Sequence, residues 1–299
     1  MEIPMPGTND LTSLTTLSAA LAGLVTSAAP SMVSVHSHRA LSSGFVWKAG
    51  LIVTPDEALA DEGEVAVTPF GGARVAATIV GRDATTDVAL LRADTARLAP
   101  VALDGAPPPA GALALAVGGR DGEAVAALGV VAASGPAWRS RRGGEIDARL
   151  ELDLALRRAA EGGLAFDASG RAFGMTVFGP RRRVLVIPGA TIKRVAAQLE
   201  VHGKVPRGYL GLGLRPVRID GDGKLGAMVV SVDANGPGAK SGIHQGDIIQ
   251  SWDGQPIAGI NVLLRALGPA SVGKTVALSL RRGGQVLAVD LAIGERPEA

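Results

Sequence analysis

The chain has 299 residues, of which 47% are hydrophobic and 19% charged, and its mean hydropathy is +0.27. This composition excludes a disordered chain, and the length suggests two domains at about 150 residues each. A net charge of +2 gives no basis for a general nucleic-acid-binding surface, and a chain without cysteine has neither disulfides nor thiolate chemistry.

The first 30 residues are predicted to form an N-terminal helical segment. Leucines recur there at three- and four-residue spacing up to Pro30, as in an amphipathic helix that lies on a folded domain. No uninterrupted apolar run reaches the roughly 18 residues of a membrane span. Only Glu2 and Asp10 are charged before the apolar stretch. We therefore expect neither a membrane span nor a secretory signal.

After Pro30, short apolar runs alternate with turn residues, which is typical of an all-β barrel or sandwich. A helix follows over residues 190–199, and a polar break at 201–206 indicates a linker. The predicted strands cover residues 32–36, 44–47, 51–54, 63–68, 75–80, 88–92, 113–117, 124–132, 146–152, 172–177 and 184–187.

A second unit of about 90 residues begins at Arg207 and is long enough for a small α/β module. Apolar runs at residues 209–214, 227–232, 247–252 and 275–280 predict strands, and residues 261–267 predict a helix.

Three ordered segments of the first unit resemble motifs of the HtrA/Deg family of trypsin-like serine proteases. They are Ser-Ser-Gly-Phe at 42–45 with Gly-Leu-Ile-Val-Thr at 50–54, Thr-Asp-Val-Ala-Leu-Leu at 86–91, and Gly162-Gly163 followed by Asp-Ala-Ser-Gly at 167–170. An ordered series of matches is far more specific than one motif. The resemblance implies a mainly β fold, with a trypsin-like double β-barrel over residues 31–200.

The second unit resembles a PDZ domain over residues 207–295. Gly-Tyr-Leu-Gly-Leu at 208–212 is similar to its carboxylate-binding loop, and Gly-Asp-Ile-Ile at 246–249 to a later motif. The resemblance implies that this α/β domain binds protein C-termini or unfolded polypeptide. The backbone N–H groups of Leu210, Gly211 and Leu212 would hold the terminal carboxylate. The peptide pocket would be lined by Leu214, Val262 and Ala266, which are otherwise only core residues.

The catalytic positions depart from the family pattern. By the resemblance, Asp87 is the orienting carboxylate, but the position of the base holds Glu57 and that of the nucleophile holds Glu161. Ala159 stands where the family has a glycine of the oxyanion hole. Acyl transfer needs a nucleophilic hydroxyl or thiol beside a base, so we expect a catalytically inactive pseudoprotease that acts as a chaperone, adaptor or scaffold. The alternative is an unusual hydrolase or a cation site on the three carboxylates.

Three converging carboxylates cannot all stay ionised without help. They would pair with arginine, share protons or bind a hard cation such as Ca²⁺. The arginines at 139, 141, 142 and 181–183 belong to stretches that flank the family's active site, and they are either solvated or bind an anionic partner. We expect no cofactor, no resident metal and no nucleic-acid partner.

The resemblance also implies a location in the cell envelope or periplasm and a homotrimer held partly by N-terminal aromatic residues. Here no aromatic residue precedes Phe45, which departs from that pattern.

Overall fold

A computed structural model describes residues 8–38, 40–61, 63–95, 98–140, 142–219 and 225–297. The chain divides into two compact units, Met1–Lys204 and Val205–Ala299. The expected mainly β architecture is confirmed: two closed six-stranded barrels form the first unit, and a smaller sheet with short helices forms the second. The finer domain boundaries given above stay predictions.

The first barrel closes in the order β1-β2-β3-β6-β5-β4, with antiparallel neighbours throughout. Its interior is aliphatic, and Val33, Val35, Ile52 and Leu91 are fully buried there. Closure leaves no free strand edge. The strands are β1 (Met32–Ser37), β2 (Ala40–Lys48), β3 (Leu51–Thr54), β4 (Val65–Pro69), β5 (Val75–Asp83) and β6 (Val88–Ala93).

The second barrel has the strand order β11-β14-β13-β12-β7-β8, and a short β9-β10 hairpin lies beside it. The strands are β7 (Leu113–Arg120), β8 (Glu123–Gly135), β9 (Trp138–Arg139), β10 (Glu145–Ile146), β11 (Arg149–Asp153), β12 (Leu164–Phe166), β13 (Ala172–Phe178) and β14 (Val184–Pro188). Helix α2 (Gly189–His202) follows and ends at Gly203, which has φ +71°. It therefore reaches two residues into the predicted linker.

The prediction of a single strand over residues 146–152 is wrong, because residues 147–148 separate β10 from β11. The backbone N–H of Asp147 donates to Thr191 Oγ1 on α2 at 3.0 Å, and the Thr191 hydroxyl donates to Asp147 Oδ2 at 2.6 Å. A residue whose backbone bonds to a side chain of a helix is lost to the strand ladder.

Helix α1 (Thr8–Ala28) departs from the expectation that its apolar face lies on the folded domain along its whole length. Leu14 and Leu17 are 60% and 44% exposed, and only the last turns approach the barrels, with Leu24 half-buried and Ala28 buried. Thr12–Ser31 has a mean hydropathy of 1.3 and is long and apolar enough to cross a membrane, with 11% of the window buried. Counting uninterrupted apolar residues missed this window because serine and threonine are spread through it. A signal sequence near an N-terminus has the same character.

The second unit has a main antiparallel sheet in the order β16-β17-β18-β20-β21, with β19 beside β18 and a separate β15-β22 pair. The strands are β15 (Gly208–Tyr209), β16 (Leu212–Arg218), β17 (Leu225–Val232), β18 (Ile248–Trp252), β19 (Gln255–Pro256), β20 (Thr275–Arg282), β21 (Gln285–Ala292) and β22 (Gly294–Glu295). The helices are α3 (Pro237–Lys240) and α4 (Ile260–Ala266). Leu263 of α4 is fully buried in the aliphatic core.

Candidate functional site

Three turns of the first unit carry the predicted catalytic positions. Glu57 lies in the 3-10 turn Asp56–Ala58 that follows β3, and Asp87 lies between β5 and β6 with φ +57°. Glu161 ends the 3-10 turn Arg158–Ala160. The backbone N–H of Glu57 donates to Asp87 Oδ1 at 2.8 Å. The charges of Glu57 and Glu161 both act on Asp87, so the three carboxyl groups form one cluster.

The cluster shifts the pKa of two of its members. Burial, as the largest effect, together with the negative charges of Glu57, Asp56 and Glu161 raises the pKa of Asp87 to about 7, although the hydrogen bond from the Glu57 N–H opposes this. Burial also raises the pKa of Glu161, against the hydrogen bond from Phe178 and the positive charge of Arg158. These two carboxyl groups therefore hold their protons to a higher pH than free side chains do.

Two effects reduce the repulsion between the three carboxyl groups: pairing with an arginine and retention of protons. Arg142 Nη2 lies 3.5 Å from Glu57 Oε1, and both side chains are more than half exposed. Within the described residues, no group of three or more histidine, aspartate or glutamate side chains could hold a metal ion. The cation alternative therefore has no ligand set in this part of the chain.

The turn before Glu161 uses the backbone donor that an oxyanion would need. The Glu161 N–H donates to the Arg158 carbonyl at 3.1 Å, and the Ala160 N–H donates to the Arg157 carbonyl at 2.8 Å. In trypsin-like serine proteases, which the sequence resembles, the oxyanion hole includes the N–H of the residue at the nucleophile position. In this conformation that N–H points into its own turn.

Ser43 fixes the turn in that conformation. Its buried hydroxyl donates to the Ala159 carbonyl at 2.6 Å and accepts the Gly119 N–H at 2.9 Å. Its backbone N–H donates to the Glu161 carbonyl at 2.6 Å. One residue of β2 thus holds both ends of the segment that carries Glu161.

The two glycines after Glu161 are required by close backbone approach. Gly162 has φ +87°, and a Cβ there would overlap the Ser43 carbonyl, while a Cβ on Gly163 would overlap the Val117 carbonyl. The Gly162 N–H donates to the Thr176 carbonyl at 2.7 Å. These contacts join the turn to β2, β7 and β13.

The predicted carboxylate loop of the second unit is held by its carbonyl groups. Gly211 has φ +69°, and its carbonyl accepts the Asp233 N–H at 2.8 Å. The Leu210 carbonyl accepts the Gly238 N–H at 2.7 Å. A Cβ on Gly211 would lie 2.9 Å from Gly236 Cα, so glycine suits both the space and the backbone conformation. The Leu210 side chain is buried in the core, and only its backbone is available to a ligand.

The predicted peptide groove lies between β16 and α4. In the described sheet β16 pairs with β17 alone, so its other edge is free to accept an extended peptide. Leu212 and Leu214 are partly buried against the core, Ala266 is half-buried and Val262 is 38% exposed. The arrangement can add a peptide strand and offers apolar side chains beside it.

Sequence reasoning missed three contributors to the site. Ser43 stands inside the Ser-Ser-Gly-Phe motif, but the motif gave no sign of its bond to Ala159. Phe178, whose N–H donates to Glu161 Oε1 at 3.2 Å, is signalled only by its place at the end of a predicted strand. Arg158 was not singled out, since the arginine runs elsewhere were more conspicuous.

Two family models match the chain in the order of its two units. Residues 42–175 match the trypsin-like peptidase domain, and residues 208–293 match the PDZ domain. The first range contains Glu57, Asp87 and Glu161, and the second contains the loop at Gly211 and the helix α4.

Curated relatives are similar over most of the chain. A "Probable periplasmic serine endoprotease DegP-like" of Rhizobium meliloti (strain 1021) is 31% identical over 275 residues, which are 87% of this chain and 54% of the relative. A protein of the same name from Pseudomonas putida (strain W619) is 32% identical over 87% of this chain and 57% of its own length. The chain thus spans about half the length of the curated relatives it matches.

Solved structures of similar fold cover nearly the whole chain. The crystal structure of the serine endoprotease from Yersinia pestis is 26% identical with a TM-score of 0.72, and the match covers 99% of this chain and 100% of that one. The HtrA-type protease AlgW with decapeptide is 21% identical with a TM-score of 0.71, covering 93% and 99% of the two chains, and shows likeness of fold alone.

Proposed function

The chain is an HtrA/DegP-like homologue of the trypsin-like serine endoproteases that carries a PDZ domain, and from that premise we propose that it is a catalytically inactive member which binds polypeptides. Its role would be that of a chaperone, adaptor or scaffold. The relatives are named as periplasmic, and we propose the same compartment for this chain.

The observation that carries the proposal is the pair of glutamates at the base and nucleophile positions. Acyl transfer in this fold needs a hydroxyl nucleophile and a base that takes its proton near neutral pH. Glu161 has no hydroxyl to activate, and Glu57 is an exposed carboxylate bonded through its own N–H to Asp87. No step of acyl transfer is available to this set of side chains.

The turn at Glu161 supports the same conclusion independently of side-chain identity. The N–H that would stabilise an oxyanion donates to Arg158, and Ser43 holds the Ala159 carbonyl in place. Losing one oxyanion donor alone costs about two to three orders of magnitude in turnover. Replacing Glu161 by serine would therefore supply a hydroxyl but not an available N–H donor for the oxyanion.

The second unit supports peptide binding. A loop held by Gly211, a free β16 edge and partly exposed apolar side chains on α4 are the parts that strand addition at a PDZ groove requires. We propose that Leu210, Gly211 and Leu212 hold the terminal carboxylate through backbone N–H groups, with Leu214, Val262 and Ala266 beside the last side chains. Protein C-termini or unfolded segments would be the partners.

A selection of C-terminal peptides against the full chain tests this binding. Each selected peptide is measured again with its terminal carboxylate amidated. We expect a defined consensus whose binding is lost on amidation. Binding that is indifferent to amidation, or no enrichment at all, would contradict the proposed groove.

A second candidate function, a hydrolase built on the carboxylate cluster, has one observation in its favour. Asp87 and Glu161 both have raised pKa values, and perturbed groups concentrate at catalytic sites. Burial beside like charges accounts for these shifts without catalysis. If the cluster hydrolysed peptide bonds, Glu161→Ala would abolish cleavage of an unfolded substrate, whereas the main proposal expects no cleavage from either protein.

A further inference from the structure

Four exposed arginines of the second barrel lie on two neighbouring turns, and we call them the arginine rim: Arg157, Arg158, Arg181 and Arg182. None of them has a carboxylate oxygen within 4 Å in the described part of the chain. The next arginine differs, since Arg183 Nη1 lies 3.4 Å from Glu151 Oε2. Among the described residues the rim arginines therefore carry positive charge that no carboxylate neutralises at salt-bridge distance.

The two turns converge on Phe178 and Glu161. The Phe178 N–H donates to Glu161 Oε1 at 3.2 Å, and the Arg182 guanidinium carbon lies 5.7 Å from the centroid of the Phe178 ring. The positive charge of Arg158 opposes the rise that burial causes in the pKa of Glu161. The Arg182 guanidinium group thus borders a half-buried aromatic ring, and the backbone N–H of the same Phe178 binds the side chain of Glu161, which ends the other turn.

The second turn has a strained backbone and exposed side chains. Arg181 and Arg182 have φ values of +58° and +57°, the left-handed region that arginine rarely adopts. The turn is closed by the Gly179 N–H, which donates to the Arg183 carbonyl at 2.7 Å. Strained segments of this kind concentrate at ligand clamps.

We propose that the arginine rim binds an acidic polypeptide segment along the edge of the second barrel. Aspartate and glutamate side chains of the segment would form charge-assisted hydrogen bonds with the guanidinium groups. The Phe178 ring would contact an apolar side chain between them. This site is separate from the PDZ groove and binds internal segments, so it does not need a free C-terminus.

Charge placement favours a polypeptide over a nucleic acid. Glu57, Asp87 and Glu161 form an acidic cluster beside the rim, and a continuous phosphate backbone would be repelled by it. In an acidic polypeptide, the side-chain carboxylates can pair with the rim arginines, while the uncharged peptide backbone lies against the acidic cluster. With a net charge of only +2, the chain also does not have the extended positive potential that is typical of nucleic-acid-binding proteins.

Fluorescence anisotropy on the full chain tests the proposal. The probe is a labelled dodecapeptide in which glutamate alternates with neutral residues and the C-terminus is amidated, which removes any contribution of a PDZ groove. Arg157→Gln/Arg158→Gln and Arg181→Gln/Arg182→Gln neutralise one turn each. Arg74→Gln/Arg92→Gln, with two exposed arginines of the first barrel, is the matched control.

We expect each rim pair to weaken peptide binding about tenfold or more and the control to change it less than about twofold. Binding should also weaken as NaCl rises from about 50 to about 300 mM. No binding by the unaltered chain, or equal losses in rim and control variants, would overturn the proposal. A single-stranded oligonucleotide bound as tightly and lost with the same variants would overturn the assignment to polypeptide. Success or failure of the amidation experiment on the PDZ groove leaves this result unaffected.

Discussion

At the scale of single residues, Asp87 is the centre of the acidic cluster. Its backbone is left-handed at φ +57° and the residue is half-buried. Burial of the carboxyl group, as the largest effect, together with the charges of three neighbouring acids raises its pKa to about 7 from an ordinary value of 3.8. Between those two pH values the folded chain holds a proton that the unfolded chain has released. The free energy of unfolding contributed by this residue therefore falls as pH rises from about 4 to about 7.

Asp87→Asn should remove that dependence. An asparagine oxygen can still accept the Glu57 N–H, and asparagine tolerates a left-handed backbone. We expect the variant to gain up to about 4 kcal/mol over the unaltered chain between pH 4 and pH 8. Chemical denaturation across this range measures the gain, with Asp153→Asn at an exposed position as the control. A difference that stays constant with pH would show that Asp87 is not held protonated.

Gly162→Ala should destabilise the first unit far more than a left-handed backbone alone explains. Its Cβ would overlap the Ser43 carbonyl, so β2 or the Glu161 turn must move, at a cost of about 3 kcal/mol or more. Gly71→Ala is the matched control, because Gly71 has φ +64° and nothing within 4 Å of a built Cβ. We expect about 1 kcal/mol there. If both variants lost the same free energy of unfolding in thermal or urea denaturation, the close approach of the Ser43 carbonyl to Gly162 would be contradicted.

At the scale of elements, α4 presents two exposed aliphatic residues with different roles. Val262 is 38% exposed and is predicted to line the groove beside β16, whereas Leu264 is 54% exposed and has no predicted role there. Val262→Asp should weaken binding of a C-terminal peptide about tenfold, because a charge would enter the apolar pocket. Leu264→Asp should change it less than about twofold. If both variants weakened peptide binding equally in a titration, Val262 would not line the groove as predicted.

Helix α1 should contribute to stability only through its last turns. Leu14 and Leu17 are exposed, while Leu24 is half-buried and Ala28 is buried. Removing residues 1–19 should leave the melting temperature within about 2 °C of the full chain. Removing residues 1–28 should lower it by several degrees, since the buried contacts go with them. A large loss from the shorter deletion would show that the exposed turns are stabilising.

The sequence predicted elements where local signals and tertiary contacts agree. The strand at residues 51–54 matches β3 because Gly50, with φ +75°, and Pro55 delimit it. Strand β12 was missed, since Leu164–Phe166 is a three-residue run that exists only by pairing with β7 and β13. Strand β21 was also missed, although Gly283 and Gly284 mark the turn before it.

The candidate site likewise has features that could be predicted from the sequence and features that depend on tertiary contacts. The family resemblance predicted that positions 57, 87 and 161 correspond to the catalytic positions, and the structure brings the three residues into one cluster. The bond from the Glu161 N–H to Arg158 depends on turn conformation, and the contact with Phe178 depends on the path of β13. Neither can be read from residue spacing, because both are set by packing between distant parts of the chain.

At the scale of the whole molecule, the proposed function assigns binding to the second unit and removes catalysis from the first. The first unit has the two barrels of a trypsin-like peptidase domain, and the positions predicted to be catalytic hold carboxylates. The second unit keeps a free sheet edge and a glycine loop. A chain with these features would recognise polypeptides and leave them intact.

Cleavage of β-casein by the purified full chain at neutral pH tests the central claim most directly. Fragments are followed over hours, with Glu161→Ala measured beside the unaltered chain and trypsin as the positive control. We expect intact β-casein with both proteins, because neither has a side chain that can act as the acylating nucleophile. Fragmentation by the unaltered chain that disappears in Glu161→Ala would contradict it and identify the carboxylate cluster as a working catalytic site.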